Sequence, residues 1–98
     1  MSLERDPEHN ESRFLHRAVD FTGQRVLEVG CGEGRMTWLY AAACASVTGV
    51  EPDLDALRVL RVDTPSALAR KVIPAAARAE FLPFAHEKFD IALLAWSL

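Results

Sequence analysis

Hydrophobic and polar positions along this chain switch repeatedly between helical spacing and short apolar runs. Over 11–21, Phe14, Leu15, Ala18 and Val19 recur at helical spacing, with Asn10 or Ser12 as a cap and Thr22-Gly23 as the stop. Residues 25–30 form a compact apolar run that reads as strand one. Residues 34–45 set Met36, Leu39, Tyr40 and Ala43 on one face of a helix. Ser-Val-Thr-Gly-Val-Glu, 46–51, reads as strand two. Asp53 then caps another helix whose Leu54, Leu57 and Leu60 face inward, and Thr64-Pro65 interrupts it before a turn through Leu68. Residues 71–79 read as strand three, with Pro74 and an alanine run diluting the pattern, and 88–95 as strand four. The charged residues 1–10, with Pro7, read as a loose lead.

Strands alternating with helices predict an α/β fold: a Rossmann-like three-layer sandwich with a mostly parallel sheet in the order 3-2-1-4. The 98 residues suit a single domain. Strand four is apolar on both faces from Ile91 to Ala95, as in a strand covered on both sides. In this order it stands at an edge, and the chain stops at Leu98. A long apolar edge invites pairing with another chain, so the expectation is either the front part of a larger protein or a homo-oligomer joined through 88–95.

Charge narrows the partners. The formal net charge is −3, and Arg58, Arg61, Arg70, Lys71 and Arg78 are scattered without a basic run. Nucleic acid is therefore not the expected partner. The longest apolar stretches, 41–45 and 91–96, are too short to span a membrane, and 1–13 lack the apolar core of a signal peptide. Cys31 and Cys44 form neither a disulfide framework nor a metal set, and read as reduced thiols of a cytoplasmic protein. His9, His16 and His86 are isolated and give no ligand set.

The chemistry concentrates in 26–34, Val-Leu-Glu-Val-Gly-Cys-Gly-Glu-Gly. An apolar strand runs into glycines at 30, 32 and 34, followed by a helical pattern. Glycines there permit unusual dihedrals and close backbone approach to a nucleotide-like ligand, at a helix start rich in free N–H groups. Gly-x-Gly-x-Gly departs from the Gly-x-Gly-x-x-Gly of dinucleotide sites, and no Lys-Ser/Thr pair follows for a Walker loop. Glu28 lies inside the apolar strand, where a carboxylate is costly unless paired. It reads either as orienting the loop and a ligand ammonium or as a structural carboxylate satisfied by nearby backbone. Glu51 ends strand two, at the place where an acid accepts from ribose hydroxyls in nucleotide-binding sheets. Its plain alternative is an exposed acid at a helix start. Cys31 has no identifiable base beside it and suits a pocket wall better than a nucleophile.

Val26 to Thr37 resembles motif I of the class I S-adenosylmethionine-dependent methyltransferases. Val47 to Asp53 resembles their second strand, and Ala79 to Leu98 is similar to the adenine-pocket and fourth-strand stretch of the small-molecule branch. The resemblance covers roughly 25–98 and implies a cofactor site for S-adenosylmethionine, with S-adenosylhomocysteine as product. It implies that Glu28, Gly30, Cys31 and Gly32 line the methionine and ribose part. Glu51 would hold the ribose hydroxyls, Pro52 would pack near the adenine, Ala79 and Glu80 would border it, and Ala95 and Trp96 would close the methionine end. The family often has an aspartate before the Ala-Glu pair, accepting from the adenine amino group; this chain has Arg78, which has no acceptor. Family members also continue through three more strands that carry much of the acceptor pocket, so the chain reads as truncated relative to the seven-stranded fold.

Methyl transfer from a sulfonium needs donor and acceptor held in line, and a general base only for a protonated acceptor. No catalytic residue is assigned. The expected function is methyl transfer to a small-molecule acceptor; the alternative is an inactive cofactor-binding or interaction module that self-associates through strand four.

Overall fold

The computed structural model describes residues 10–78 and 88–95. Four strands form one parallel sheet: β1 (Arg25–Val29), β2 (Ser46–Glu51), β3 (Val72–Ala76) and β4 (Ile91–Leu94), in the order β3-β2-β1-β4. This is the anticipated order. Helix α1 (Asn10–Ala18) precedes the sheet, and α2 (Leu54–Asp63) links β2 to β3. None of the described helices is long and apolar enough to cross a membrane.

The two central strands carry the burial. In β1, Val26, Leu27, Glu28 and Val29 are all buried, and β2 buries Val47 through Val50. Because side chains alternate along a strand, β1 offers Val26 and Glu28 to one face and Leu27 and Val29 to the other. The first face builds the larger core. Val26, Val47 and Val72 pack there with Phe21, Tyr40, Ala41, Cys44, Leu57, Leu60 and Leu68. Leu15 and Val19 from the α1 region join them. On the second face, Leu27, Val29 and Val50 cluster with Ala75, Ala77 and Phe89.

Several boundaries differ from the pattern reading. Helix α1 ends at Ala18, not at residue 21, because the Asp20 carboxylate accepts the Thr22 N–H at 3.1 Å in a local turn that competes with the helix. The freed Phe21 inserts into the core, 1% exposed. Strand β3 stops at Ala76, three residues short of expectation. Its Pro74 faces Gly49 and is tolerated because β3 is an edge strand. Strand β4 is confined to Ile91–Leu94, and its outer positions Ala92 and Leu94 are exposed, so the even apolarity of the sequence does not mean burial on both faces. Its start is fixed by Asp90, whose N–H donates to Arg25 O at 2.8 Å and whose carboxylate accepts from the Arg25 guanidinium.

The largest departure is the expected helix over 34–45. The segment forms two 3-10 turns, Thr37–Leu39 and Ala41–Ala43, separated by Tyr40 at φ −132°. The buried positions are Gly34, Thr37, Tyr40, Ala41 and Cys44, so of the expected stripe Met36, Leu39, Tyr40 and Ala43 only Tyr40 is fully buried. Thr37 and Tyr40, three residues apart, both donate to one carboxylate oxygen of Glu28. Thr37 opens the first turn and Tyr40 caps its end, and this turn brings both hydroxyls to one point.

Helix α2 forms as expected. Asp53 Oδ1 accepts the N–H groups of Asp55 (2.9 Å) and Ala56 (3.3 Å), and Leu57 and Leu60 are buried. Leu54 is not: at the first helical position, next to the strand end, it remains 58% exposed. The turn at Ser66–Leu68 seats Leu68 in the core.

Candidate functional site

Strands β1 and β2 end side by side, and the loops beyond them make the site. Val29 pairs with Val50, and past that pair the chain leaves the sheet at Gly30. Gly30, Gly32 and Gly34 have φ of 79°, 55° and 91°, conformations that residues with a Cβ seldom adopt. The expected strand end at residue 30 therefore falls one residue earlier, at Val29. A Cβ at Gly32 would meet nothing within 4 Å, so open space faces the loop there. A Cβ at Gly34 would lie 2.5 Å from the Trp38 ring, so this glycine is needed for packing.

Strand β2 holds the loop in place. The N–H groups of Gly30 and Cys31 both donate to Val50 O, at 2.7 and 3.2 Å. The Gly32 N–H donates to Glu51 Oε1 at 2.8 Å, and Glu51 Oε2 accepts the Asp53 N–H at 3.1 Å. Glu51 is half-buried and joins the two loops. A carboxylate oxygen accepts more than one bond, so both oxygens keep capacity for a further donor. Cys31 turns inward against Gly49, where a Cβ would lie 2.8 Å from its Sγ. Burial, with the negative charges of Glu28 and Glu51 nearby, pushes the Cys31 thiol up to about 12. It stays protonated and non-nucleophilic, as a pocket wall would.

Glu28 is fully buried behind the loop. Its Oε1 accepts from Thr37 Oγ1 at 2.7 Å and from Tyr40 OH at 2.5 Å. Its partners are side-chain hydroxyls, where the plain sequence reading expected backbone. Oε2 is buried without a hydrogen-bond partner. Burial raises the carboxyl above its ordinary range, opposed by the hydrogen bonds from Tyr40 and Thr37. Tyr40 is held in turn by stacking on Phe21, with ring centroids 4.6 Å apart.

Sequence reasoning missed Thr37, Tyr40 and Gly49. The available signal was two hydroxyl residues three apart, just after a carboxylate inside an apolar strand. Of the anticipated residues, the structure brings Glu28, Gly30, Cys31, Gly32 and Glu51 together at the carboxyl ends of β1 and β2. Pro52 follows Glu51 and is exposed. Ala95 lies beside the site, buried, its N–H donating to Val29 O at 2.9 Å. Ala79, Glu80 and Trp96 lie outside the described residues. Among the described residues, no group of three His, Cys, Asp or Glu side chains is placed to hold a metal ion.

This geometry coincides with a family match. Residues 26–98, from the first core residue of β1 onward, match the methyltransferase domain. The chain belongs to the methyltransferase-domain family. It is 41% identical over 49 residues to a ubiquinone biosynthesis O-methyltransferase from Aromatoleum aromaticum, covering 50% of this chain and 21% of that protein. It is 44% identical over 36 residues to a tRNA U34 carboxymethyltransferase from Ectopseudomonas mendocina, covering 36% of this chain and 11% of that protein. The chain thus spans about a tenth to a fifth of the length of these curated relatives. The fold is shared with phosphoethanolamine N-methyltransferase 1 of Haemonchus contortus, solved with phosphoethanolamine and S-adenosylhomocysteine. That match has a TM-score of 0.76 at 16% identity, over 92% of this chain and 19% of the other. The architecture is the Rossmann-like fold of the class I S-adenosylmethionine-dependent methyltransferases.

Proposed function

We propose that this methyltransferase-domain chain binds S-adenosylmethionine and contributes the cofactor half of a methyl transfer to a small-molecule acceptor. The observation that carries the reading is the juxtaposition of an open, positive-φ glycine loop with two carboxylates, Glu28 behind it and Glu51 beside it. The donor set fits the cofactor. Glu51 has acceptor capacity for ribose hydroxyls, and the unpartnered Glu28 Oε2 suits a cationic ammonium, directly or through water. The backbone of Gly30, Cys31 and Gly32 gives close approach, and Ala95 bounds the methionine side. Pro52, Ala79, Glu80 and Trp96 complete the pocket in this reading.

The cofactor, when bound, supplies an activated methyl group on a sulfonium. The chain's own residues hold it, orient it and exclude water from the loop. Neither Cys31 nor Tyr40 is poised as a general base: Cys31 is a protonated, buried thiol, and Tyr40 is held protonated by burial and by Glu28.

A small acceptor is supported by the likeness to the ubiquinone biosynthesis O-methyltransferase. The tRNA-acting relative gives an RNA acceptor some support, but a net charge of −3 without a basic run argues against it. Two free thiols favour a reducing, cytoplasmic setting. Self-association through 88–95 is favoured by the edge position of β4 and by Leu94, 64% exposed.

Calorimetry with S-adenosylmethionine, S-adenosylhomocysteine and NAD tests the function. Binding of the sulfur compounds and not NAD is expected. Binding of NAD alone overturns the reading, and no binding at all leaves the interaction module. Light scattering that finds a monomer in dilute buffer overturns self-association.

A further inference from the structure

A ligand laid across the carboxyl ends of the strands meets three elements in order. The glycine loop follows β1, Glu51 ends β2, and the next strand outward is β3. With the amino-acid tail on the loop and the ribose on Glu51, the sheet order leaves the end of β3 for the base. The residue there is Arg78. Glu51 pairs with Ala76 across the sheet, and the Ala77 N–H donates to Glu51 O at 3.3 Å, so Arg78 follows directly on the chain tied to Glu51. Arg78 is exposed, and among the described residues its guanidinium has neither a hydrogen bond nor an ion pair.

A guanidinium only donates, whereas the 6-amino group of adenine also donates. The two cannot pair. The acceptors of a purine edge are N7 and, in a 6-oxopurine, O6; arginine engages that pair in a bidentate contact, while a carboxylate or amide selects an amino edge. We propose that Arg78 makes this site read the acceptor edge of the purine, so that a nucleoside sulfur ligand with a 6-oxo base is accepted as well as one with a 6-amino base. The inference rests on the cofactor assignment above and adds base selectivity to it.

The test is calorimetry of the 98-residue chain and its R78D variant with S-adenosyl-L-homocysteine and S-inosyl-L-homocysteine. The wild type is expected to bind the inosyl compound at least as tightly as the adenosyl one, and R78D to prefer the adenosyl compound by roughly tenfold or more, the scale of one edge contact. Arg78 is exposed at a strand end, so the variant is expected to fold. A wild-type preference of about tenfold for the adenosyl compound overturns the inference, on the same scale. So does a ratio that R78D leaves unchanged. Failure of S-adenosyl-L-homocysteine to bind either protein removes the cofactor assignment, and the inference with it. Binding with the wrong selectivity removes the inference alone.

Discussion

The Gly32 N–H donates to Glu51 Oε1 at 2.8 Å, so one carboxylate at the end of β2 orders the glycine loop and, in the proposed function, also faces the ligand. These two duties separate by substitution. Glu51→Ala should weaken S-adenosylmethionine binding by about 1–3 kcal/mol, the loss of hydrogen bonds to a partly desolvated ligand. It should also speed hydrogen exchange at the Gly32 amide without ligand. Glu51→Gln keeps an acceptor and should preserve the amide protection while still weakening binding. Unchanged affinity in both variants means that Glu51 does not hold the ribose.

Gly49 and Cys31 are coupled by contact. A Cβ at 49 would lie 2.8 Å from Cys31 Sγ and 3.1 Å from Cys31 Cβ. Gly49→Ala should cost about 1–3 kcal/mol of stability in urea denaturation, the usual range for overpacking. Cys31→Ala in the same chain should recover part of that cost, because it removes the nearer atom. Additive effects in the double mutant would contradict the contact.

Tyr40 supplies one of two hydroxyls to Glu28 Oε1 and stacks on Phe21. Tyr40→Phe keeps the stacking and removes only the donor, leaving Thr37 as the remaining partner. The expected loss is about 1–3 kcal/mol, because a buried acceptor is left short of a bond. Thr37→Val should act similarly, and the pair should be non-additive, since both address the same oxygen. Additive thermal shifts would show that the two bonds are independent.

Glu28 predicts a pH dependence of definite sign. Burial raises its folded-state pKa above the ordinary value of 4.5, so the folded chain keeps a proton that the unfolded chain has lost. Stability from this group is therefore present at low pH and declines as pH rises from the unfolded toward the folded pKa. Glu28→Gln, neutral at every pH, should remove that decline. The difference in unfolding free energy between wild type and variant should drift in the variant's favour as pH rises through that window. A constant difference would mean that Glu28 titrates normally.

Much of this was legible along the chain. Period and punctuation located all four strands and α2, because an apolar run of strand length and an Asp53 cap act locally. The alternation pointed to a parallel sheet with helices on both faces, and the right-handedness of parallel crossovers narrowed its order. The glycine loop, Glu28 and Glu51 were visible because a carboxylate in an apolar strand and glycines at alternate positions are unusual without a site. The stop of α1 at Ala18 was harder to see, since the Asp20 turn competes with the helix by a single hydrogen bond. The burial of Leu54 was misjudged because helical spacing says which face is apolar, not how far the sheet reaches beneath it.

The sequence alone determined the α/β alternation, the loop of small residues and the identity of the acids beside it, because these depend on residue type and spacing. Only the tertiary structure decided what each acid touches. It brings Thr37 and Tyr40 to one oxygen of Glu28 and leaves the other unpartnered, and it ties Glu51 to Gly32 across 19 residues of chain. It also converts a helical pattern at 34–45 into two 3-10 turns. Such contacts arise when parallel strands bring distant loops to one end of a sheet, where a buried carboxylate must find its partners among whatever the fold places there.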